Sequence, residues 1–238
     1  MAESGEATEV FQKGWTALRA NPVLIVPSLV ALLIVFVLSF LLLGSAVGVM
    51  MGGMMRGSRG LGMGFGALAG TALLVTGLSI LLSMVAGGMT VAMAHDTLVG
   101  RVTSLASGLA ATRRRLVDLI IASILASLII MIGFLLFVVP GLVAAFFLFF
   151  TLPAVMLGGM SGTGALSASV RLVSARLGET LLLAVGLLVI GVLVGIVGMI
   201  FRFVPVLGAF VTVILQAALA AYASLVIVAA YRRAEGLR

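Results

Sequence analysis

The chain has 238 residues, of which 63% are hydrophobic and 9% are charged, and its formal net charge is +7. A soluble domain carries about 25% charged residues and has too little interior to bury this much apolar side chain, so the composition excludes a soluble globular protein. Cysteine is absent, which excludes a disulfide framework and thiolate chemistry.

Six apolar segments follow one another along the chain, and each is about as long as, or longer than, the roughly 20 residues that a membrane-spanning helix needs. They are residues 23–49, 65–94, 117–139, 141–158, 178–201 and 204–230. We therefore predict an all-α polytopic membrane protein. It forms a single integral membrane domain over residues 1–238 that begins with a short disordered N-terminus at 1–8.

Spans three and four are separated only by a dipeptide. No ionisable residue occurs between Asp118 and Arg171, and one helix over that length would measure roughly 80 Å, against about 30 Å for a bilayer core. Pro140-Gly141 divides the segment, because proline lacks a backbone donor and glycine accepts turn conformations. We predict a hairpin turn there that forms a packed structural corner.

Basic residues orient the predicted domain. Six spans place both termini and the segments before spans three and five on one side, and that side carries most of the lysine and arginine. The opposite side carries Arg56, Arg59 and Arg202. The positive-inside rule then puts both termini in the cytosol of a protein integral to the plasma (inner) membrane. Because the basic residues flank apolar segments, anionic lipid headgroups are the expected partners, and nucleic acid is not.

Three short segments with apolar residues at helical spacing precede spans one, three and five. The three stripes are Phe11, Trp15 and Leu18; Leu105, Leu109 and Leu116; and Leu166, Val170, Val173 and Leu177. We predict amphipathic helices on the cytoplasmic surface, with each stripe in the lipid or on the bundle. The chain then reads as three units, about 8–100, 101–160 and 161–238, each an amphipathic helix followed by a helical hairpin. The alternative is chance, since basic amphipathic stretches are common beside spans.

Arginine clusters with acidic residues where spans three and five begin. The arginines are Arg113, Arg114, Arg115, Arg171 and Arg176. Asp118 and Glu179 hold nearly equivalent places just after them. One interpretation is a structural ion pair at the membrane interface. The other is a lipid-phosphate pocket with the acids as its rim.

Groups suited to catalysis or metal binding are few. His95 is the only histidine, and its neighbour Asp96 points about 100° away on a helix, so the two form no dyad. No acidic residue lies in mid-membrane, which argues against proton coupling. We predict no catalytic residue, no metal site and no cofactor. Gln216 is the strongly polar residue in mid-span, and we expect it to bond to a neighbouring helix; a substrate contact is the alternative.

Two stretches carry a family resemblance: LLFVVPGLVAAFFLFFTLPAVMLGG (135–159) and GALSASVRLVSARLGET (164–180). A PG turn leads into a span that contains Pro153, and an A-L-x-x-S-x-x-L helix follows at Ala165, Leu166, Ser169 and Leu172. This resembles the membrane domain fused to some glycerophosphoryl diester phosphodiesterases and its stand-alone six-span relatives. Where those relatives often carry an acid, this chain has Gly158 and Gly159, and these residues include no phosphodiesterase barrel. The resemblance implies a fold and no activity.

The function class follows from these observations. We expect a non-enzymatic integral membrane protein, a lipid-interacting scaffold or an accessory subunit of a membrane complex, with membrane lipids or another membrane protein as partners. The alternative is a small transporter or permease, since repeats are a transporter feature. A membrane enzyme is disfavoured, because no acid–base set converges.

Overall fold

The computed structural model describes residues 2–54, 58–201, 203 and 205–236, which form helices joined by short connections and include no strand. The helices are α1 (Ala2–Ala20), α2 (Val26–Met54), α3 (Ser58–Leu98), α4 (Leu105–Arg114), α5 (Leu116–Leu136), α6 (Val138–Phe147), α7 (Thr151–Met156), α8 (Gly162–Ala175), α9 (Leu177–Phe201) and α10 (Pro205–Ala234). A short 3-10 helix, Pro22–Ile25, precedes α2.

Six helical segments in the described ranges are long and apolar enough to cross a membrane. They are Pro22–Gly53, Gly64–Leu98, Leu116–Leu136, Val138–Met156, Leu177–Phe201 and Leu207–Ala234. Each overlaps one of the six predicted spans, so the prediction of an all-α polytopic membrane protein is confirmed. The length and apolarity of these segments made them predictable as spans. A backbone in lipid must satisfy its hydrogen bonds internally, so a long apolar segment that crosses the membrane forms a helix.

The chain divides into two compact units. The larger unit consists of Met1–Ser28 and Met84–Arg238, and the smaller unit is Leu29–Ser83. The larger unit holds two clusters of buried apolar side chains. The first includes Leu119, Val155 and Tyr231, and the second includes Met93 and Leu225. The order of helices repeats a short helix followed by two spans, while the three-unit division inferred from the sequence stays a prediction.

Helix α1 packs on α9 and α10 through a face of small and aliphatic residues. Val10, Gly14 and Leu18 are buried on this face. A Cβ at Gly14 would lie 3.0 Å from a methyl carbon of Val226, so the glycine permits the close approach. The Tyr222 hydroxyl donates a hydrogen bond of 3.2 Å to the Phe11 carbonyl.

Helix α1 begins at Ala2, so the described part of residues 1–8 is helical, while the disorder expected there stays a prediction. An i,i+4 ion pair supports the helix further on, because Lys13 Nζ lies 2.7 Å from Glu9 Oε1.

Helix α8 turns its small residues inward. Ala165, Ala168 and Ser169 are buried against the bundle, whereas Val170 and Leu177 of the predicted stripe are about half exposed. Helix α4 has the same arrangement, with Gly108 and Thr112 inward and Leu105 and Leu109 outward. Leu172 and Val173 of α8 are buried as well, so its inner face combines small residues, which allow close helix contacts in lipid, with two larger aliphatic side chains.

A single non-helical residue joins each of these short helices to the span that follows. Arg115 separates α4 from α5, and Arg176 separates α8 from α9. In each junction the arginine N–H bonds back three residues, and its carbonyl accepts a bond from the residue four positions on. Ser104 caps the start of α4 with a reciprocal capping box, and Ser161 caps the start of α8.

Spans three and four meet at Phe137, not at Pro140-Gly141. Phe137 is a single extended residue, and the dipeptide lies in the first turns of α6. Proline is tolerated at this place because the first N–H groups of a helix have no intrahelical acceptor. Gly141 is buried, and a Cβ at Gly133 would come 2.7 Å from its Cα. The predicted turn is therefore corrected to a close contact between two helix backbones.

Span four is broken between α6 and α7, at Leu148–Phe150. The buried Ser169 of α8 fills this break. Its hydroxyl donates a hydrogen bond of 2.8 Å to the Phe147 carbonyl and accepts one of 3.0 Å from the Phe150 N–H. One side chain thus satisfies two backbone groups that the interrupted helix leaves free, in surroundings where lipid offers no partner.

Candidate functional site

Basic side chains collect at one end of the larger unit, called here the basic end. It comprises Lys13, Arg113, Arg114, Arg115, Arg171, Arg176, Arg232 and Arg233, with the segments that carry them. The end of α10 meets the end of α7 there, because a Cβ at Gly158 would lie 2.7 Å from the Tyr231 hydroxyl oxygen. Several elements that the sequence predicted on one side of the membrane are therefore adjacent.

The arginines of the α4–α5 junction differ in their surroundings. Arg113 and Arg114 are exposed in the last turn of α4, and neither forms an ion pair within the described residues. Arg115 is partly buried, and its Nη1 donates a hydrogen bond of 3.1 Å to the Gly159 carbonyl. Gly159 has a φ of 62°, which favours glycine, and a Cβ there would lie 2.7 Å from Arg115 Nη2. Arg115 thus holds the connection between α7 and α8.

The arginines of α8 and its junction differ in the same way. Arg171 is exposed on α8, without an ion pair in the described chain. Arg176 Nη1 lies 3.2 Å from Glu179 Oε2, and the Glu179 side chain is only 11% exposed. Asp118 has no ion-pair partner among the described residues, although it holds the equivalent position. The structure thus brings Arg176 to Glu179 and Arg115 to a carbonyl, and leaves Arg113, Arg114 and Arg171 open to solvent or headgroups.

Gln216 does not bond to a neighbouring helix. Its side chain is exposed on the outer face of α10 and has no hydrogen-bond partner in the described residues. This corrects the expectation that it joins two spans. Ala217, the next residue, is buried. A polar group that would line a path through the larger unit therefore lies on its outside.

The acid–base inventory stays sparse. Asp96 Oδ1 lies 4.0 Å from Arg101 Nη1, and the Nδ1 atom of His95 is buried without a hydrogen-bond partner. No group of three or more histidine, cysteine, aspartate and glutamate residues that could hold a metal ion occurs in the described ranges. Arg56 and Arg202, counted on the opposite side of the membrane, lie outside the described residues.

A cavity at the basic end was missed by the sequence reasoning. It has a volume of about 520 Å³ and is lined by residues of α1, the end of α3 and the end of α10. Among them, Glu9 lies 2.7 Å from Lys13 Nζ and 3.9 Å from Arg233 Nη1. The hydrogen bond from Lys13 lowers the pKa of Glu9 below its ordinary value, so Glu9 is ionised at neutral pH.

The fold and the basic end define the protein as an all-α polytopic membrane protein with a cationic end. Residues 121–233, slightly under half of the chain, match a family described as "Domain of unknown function (DUF7847)". The match runs from α5 into α10 and carries no link to phosphodiesterases. No curated protein and no solved structure matches the chain.

Proposed function

We propose that the protein is a non-enzymatic, lipid-interacting membrane protein that acts as a scaffold or an accessory subunit of a membrane complex. One observation carries the proposal: the interior of the larger unit is filled mainly by apolar side chains, while mid-span Gln216 faces outward. A transport path needs polar groups around a cavity in mid-membrane. Lipid binding needs exposed cations at headgroup level, which Arg113, Arg114 and Arg171 supply.

The smaller unit offers a second supporting feature. Within it lies an apolar groove of about 400 Å³, lined by aliphatic residues of α2 and α3 that include Leu42, Leu74 and Leu81. Such a lining suits an acyl chain, because it presents apolar contacts and no charge to the lipid. Anionic lipids, or another membrane protein held through them, are the partners that this proposal names.

The arginines with no ion pair provide the test. The triple variant Arg113→Gln, Arg114→Gln, Arg171→Gln is expected to bind phosphatidylglycerol about a hundredfold more weakly, since each basic residue near an anionic surface contributes about 1 kcal/mol. Native mass spectrometry of the purified protein measures retained lipid. Arg19→Gln is the control for lost charge, and phosphatidylcholine retention is the control for neutral lipid. Unchanged phosphatidylglycerol retention in the triple variant would contradict the proposal.

A transporter or permease remains the second candidate, because span four is interrupted at Leu148–Phe150 and broken helices are a transporter feature. Against it, Ser169 already satisfies the backbone groups beside the break, so no solute is needed there. Purification in mild detergent with identification of bound lipid and protein separates the two. A reproducible protein partner supports a scaffold, whereas a small solute that stabilises the purified protein supports transport.

The proposed location is the plasma (inner) membrane with both termini in the cytosol. Since the chain has no cysteine, single introduced cysteines report topology directly. Val102, 94% exposed between α3 and α4, and Phe203, 90% exposed between α9 and α10, are suitable sites. We expect an impermeant maleimide to label Phe203→Cys in intact cells, and Val102→Cys only after permeabilisation. The reverse pattern would invert the orientation.

The resemblance to the membrane domain fused to some glycerophosphoryl diester phosphodiesterases belongs to the same proposal. Its motif residues have structural roles that support it. Gly141 lies at the α5–α6 contact, Pro153 is buried in α7, and Ser169 fills the break in span four. These roles concern folding, so the resemblance adds no activity to the proposal.

A further inference from the structure

The cavity at the basic end has an excess of positive charge. Among the described residues, Lys13, Arg232 and Arg233 line it together with one carboxylate, Glu9. Glu9 is shared between Lys13 and Arg233, at 2.7 and 3.9 Å. Arg232 has no ion-pair partner in the described part of the chain. At neutral pH the described lining therefore holds three cations and one anion, a balance that suits a negatively charged ligand.

Two buried polar atoms, one in the lining and one on a helix that reaches it, have no hydrogen-bond partner among the described residues. They are Arg232 Nε and His95 Nδ1. His95 lies one helical turn before Leu98, which lines the cavity from the end of α3. Buried polar groups in folded proteins are almost always satisfied, and an exception points to a missing water, ion or ligand. The unpartnered Arg232 Nε–H and the basic lining thus occur at the same cavity, and both suit a negatively charged ligand.

The chemistry of the lining selects the ligand class. The planar guanidinium groups of two arginines match the oxygen geometry of phosphate, and lysine adds a compact positive charge. The volume of about 520 Å³ falls within the range of small-molecule sites, roughly 300–1,000 Å³, and so exceeds what one ion fills. The cavity lies where α3 and α10 end, which the proposed topology places at the cytoplasmic interface of the membrane.

We propose that the cavity between α1, the end of α3 and the end of α10 binds a phosphate group, carried by a lipid headgroup or by a free phosphate ester. Arg232 and Lys13 are the principal contacts, with Arg233 held in place by Glu9. The site is separate from Arg113, Arg114 and Arg171, so it stands whether or not those arginines bind lipid.

Two probes distinguish the sources of phosphate. Isothermal titration of the detergent-purified protein with glycerol 3-phosphate tests a free ester, and native mass spectrometry after reconstitution with phosphatidylglycerol or phosphatidylcholine tests a headgroup. Binding of glycerol 3-phosphate assigns a soluble ligand, and retention of phosphatidylglycerol alone assigns a lipid. If neither probe binds at millimolar concentration, the proposal is overturned.

Arg232→Gln and Lys13→Gln are the variants, and each is expected to weaken binding of the successful probe about tenfold to a hundredfold, the loss that accompanies one charge-assisted hydrogen bond. Arg19→Gln is the matched control, because Arg19 lies on the same helix as Lys13 but over the Trp15 ring. Circular dichroism verifies folding, and Lys13→Gln keeps the test open if Arg232→Gln does not fold. Affinities equal to those of wild type in both variants would overturn the site.

Discussion

Replacing Ser169 with alanine is expected to lower the free energy of unfolding by about 2–5 kcal/mol, because two buried backbone groups lose their partner at once and each such loss costs about 1–3 kcal/mol. The hydroxyl contacts the Phe147 carbonyl at 2.8 Å and the Phe150 N–H at 3.0 Å. Ser169 is fully buried, so bulk solvent has no access to these two backbone groups in the folded protein. The break in span four would then have to close into a continuous helix or separate from α8.

Equilibrium unfolding in mixed detergent micelles measures this effect. Ser167→Ala is the matched control, since the Ser167 hydroxyl bonds only to the Gly164 carbonyl of its own helix and lies on the exposed side. We expect the control to change stability by less than about 0.5 kcal/mol. Equal losses in the two variants would contradict the role assigned to Ser169.

The glycines between α5 and α6 carry the second large expected effect. Gly133→Ala and Gly141→Ala should each destabilise the protein by about 1–3 kcal/mol, the usual cost of forcing atoms into a packed contact. A Cβ at Gly133 would lie 2.7 Å from the Gly141 Cα and 2.9 Å from its nitrogen. At Gly141 the new carbon would enter the ring of Phe134. Backbone atoms cannot step aside as a flexible side chain can, so the hairpin must open.

The control for this pair is Gly195→Ala. Nothing lies within 4 Å of a Cβ at Gly195, in the middle of α9. Alanine is the better helix former by about 1 kcal/mol, so this variant should be unchanged or more stable. The sign of the change therefore separates close packing from helix propensity. Stabilisation of Gly133→Ala in the same unfolding assay would show that the hairpin contact is not tight.

The spans were predictable from the sequence because lipid leaves few alternatives to a long apolar helix. The position of the connection between spans three and four was not predictable in the same way. Proline suits a turn and also the first turn of a helix, so Pro140 is compatible with both readings, and the connection lies instead at Phe137. Glycine is required at position 141 because its backbone contacts Gly133. That is a tertiary contact, which the local sequence pattern does not reveal.

Which face of each short helix packs inward could not be predicted from the sequence, for a physical reason. The apolar stripes indicate amphipathic helices but leave open whether each stripe faces the lipid or the bundle. In lipid both faces are apolar, and α8 buries Ala165, Ala168 and Ser169 while Val170 faces out. The same ambiguity hid the direction of Gln216, because α10 has no polar face that fixes its rotation. The cavity at the basic end is lined by residues of α1 and α10, which are more than 200 positions apart in the sequence. Local sequence patterns do not show that such distant residues are neighbours.

The position of α1 constrains the order of events during synthesis. Its buried face, Val10, Gly14 and Leu18, packs against α9 and α10, and Tyr222 bonds to Phe11 across almost the whole chain. A ribosome releases α1 well before α9 and α10, which form its docking surface. The N-terminal helix must therefore wait, with that face uncovered, until the sixth span has been made. A chain that stops before α10 therefore cannot complete the larger unit, even if its first five spans have inserted into the membrane.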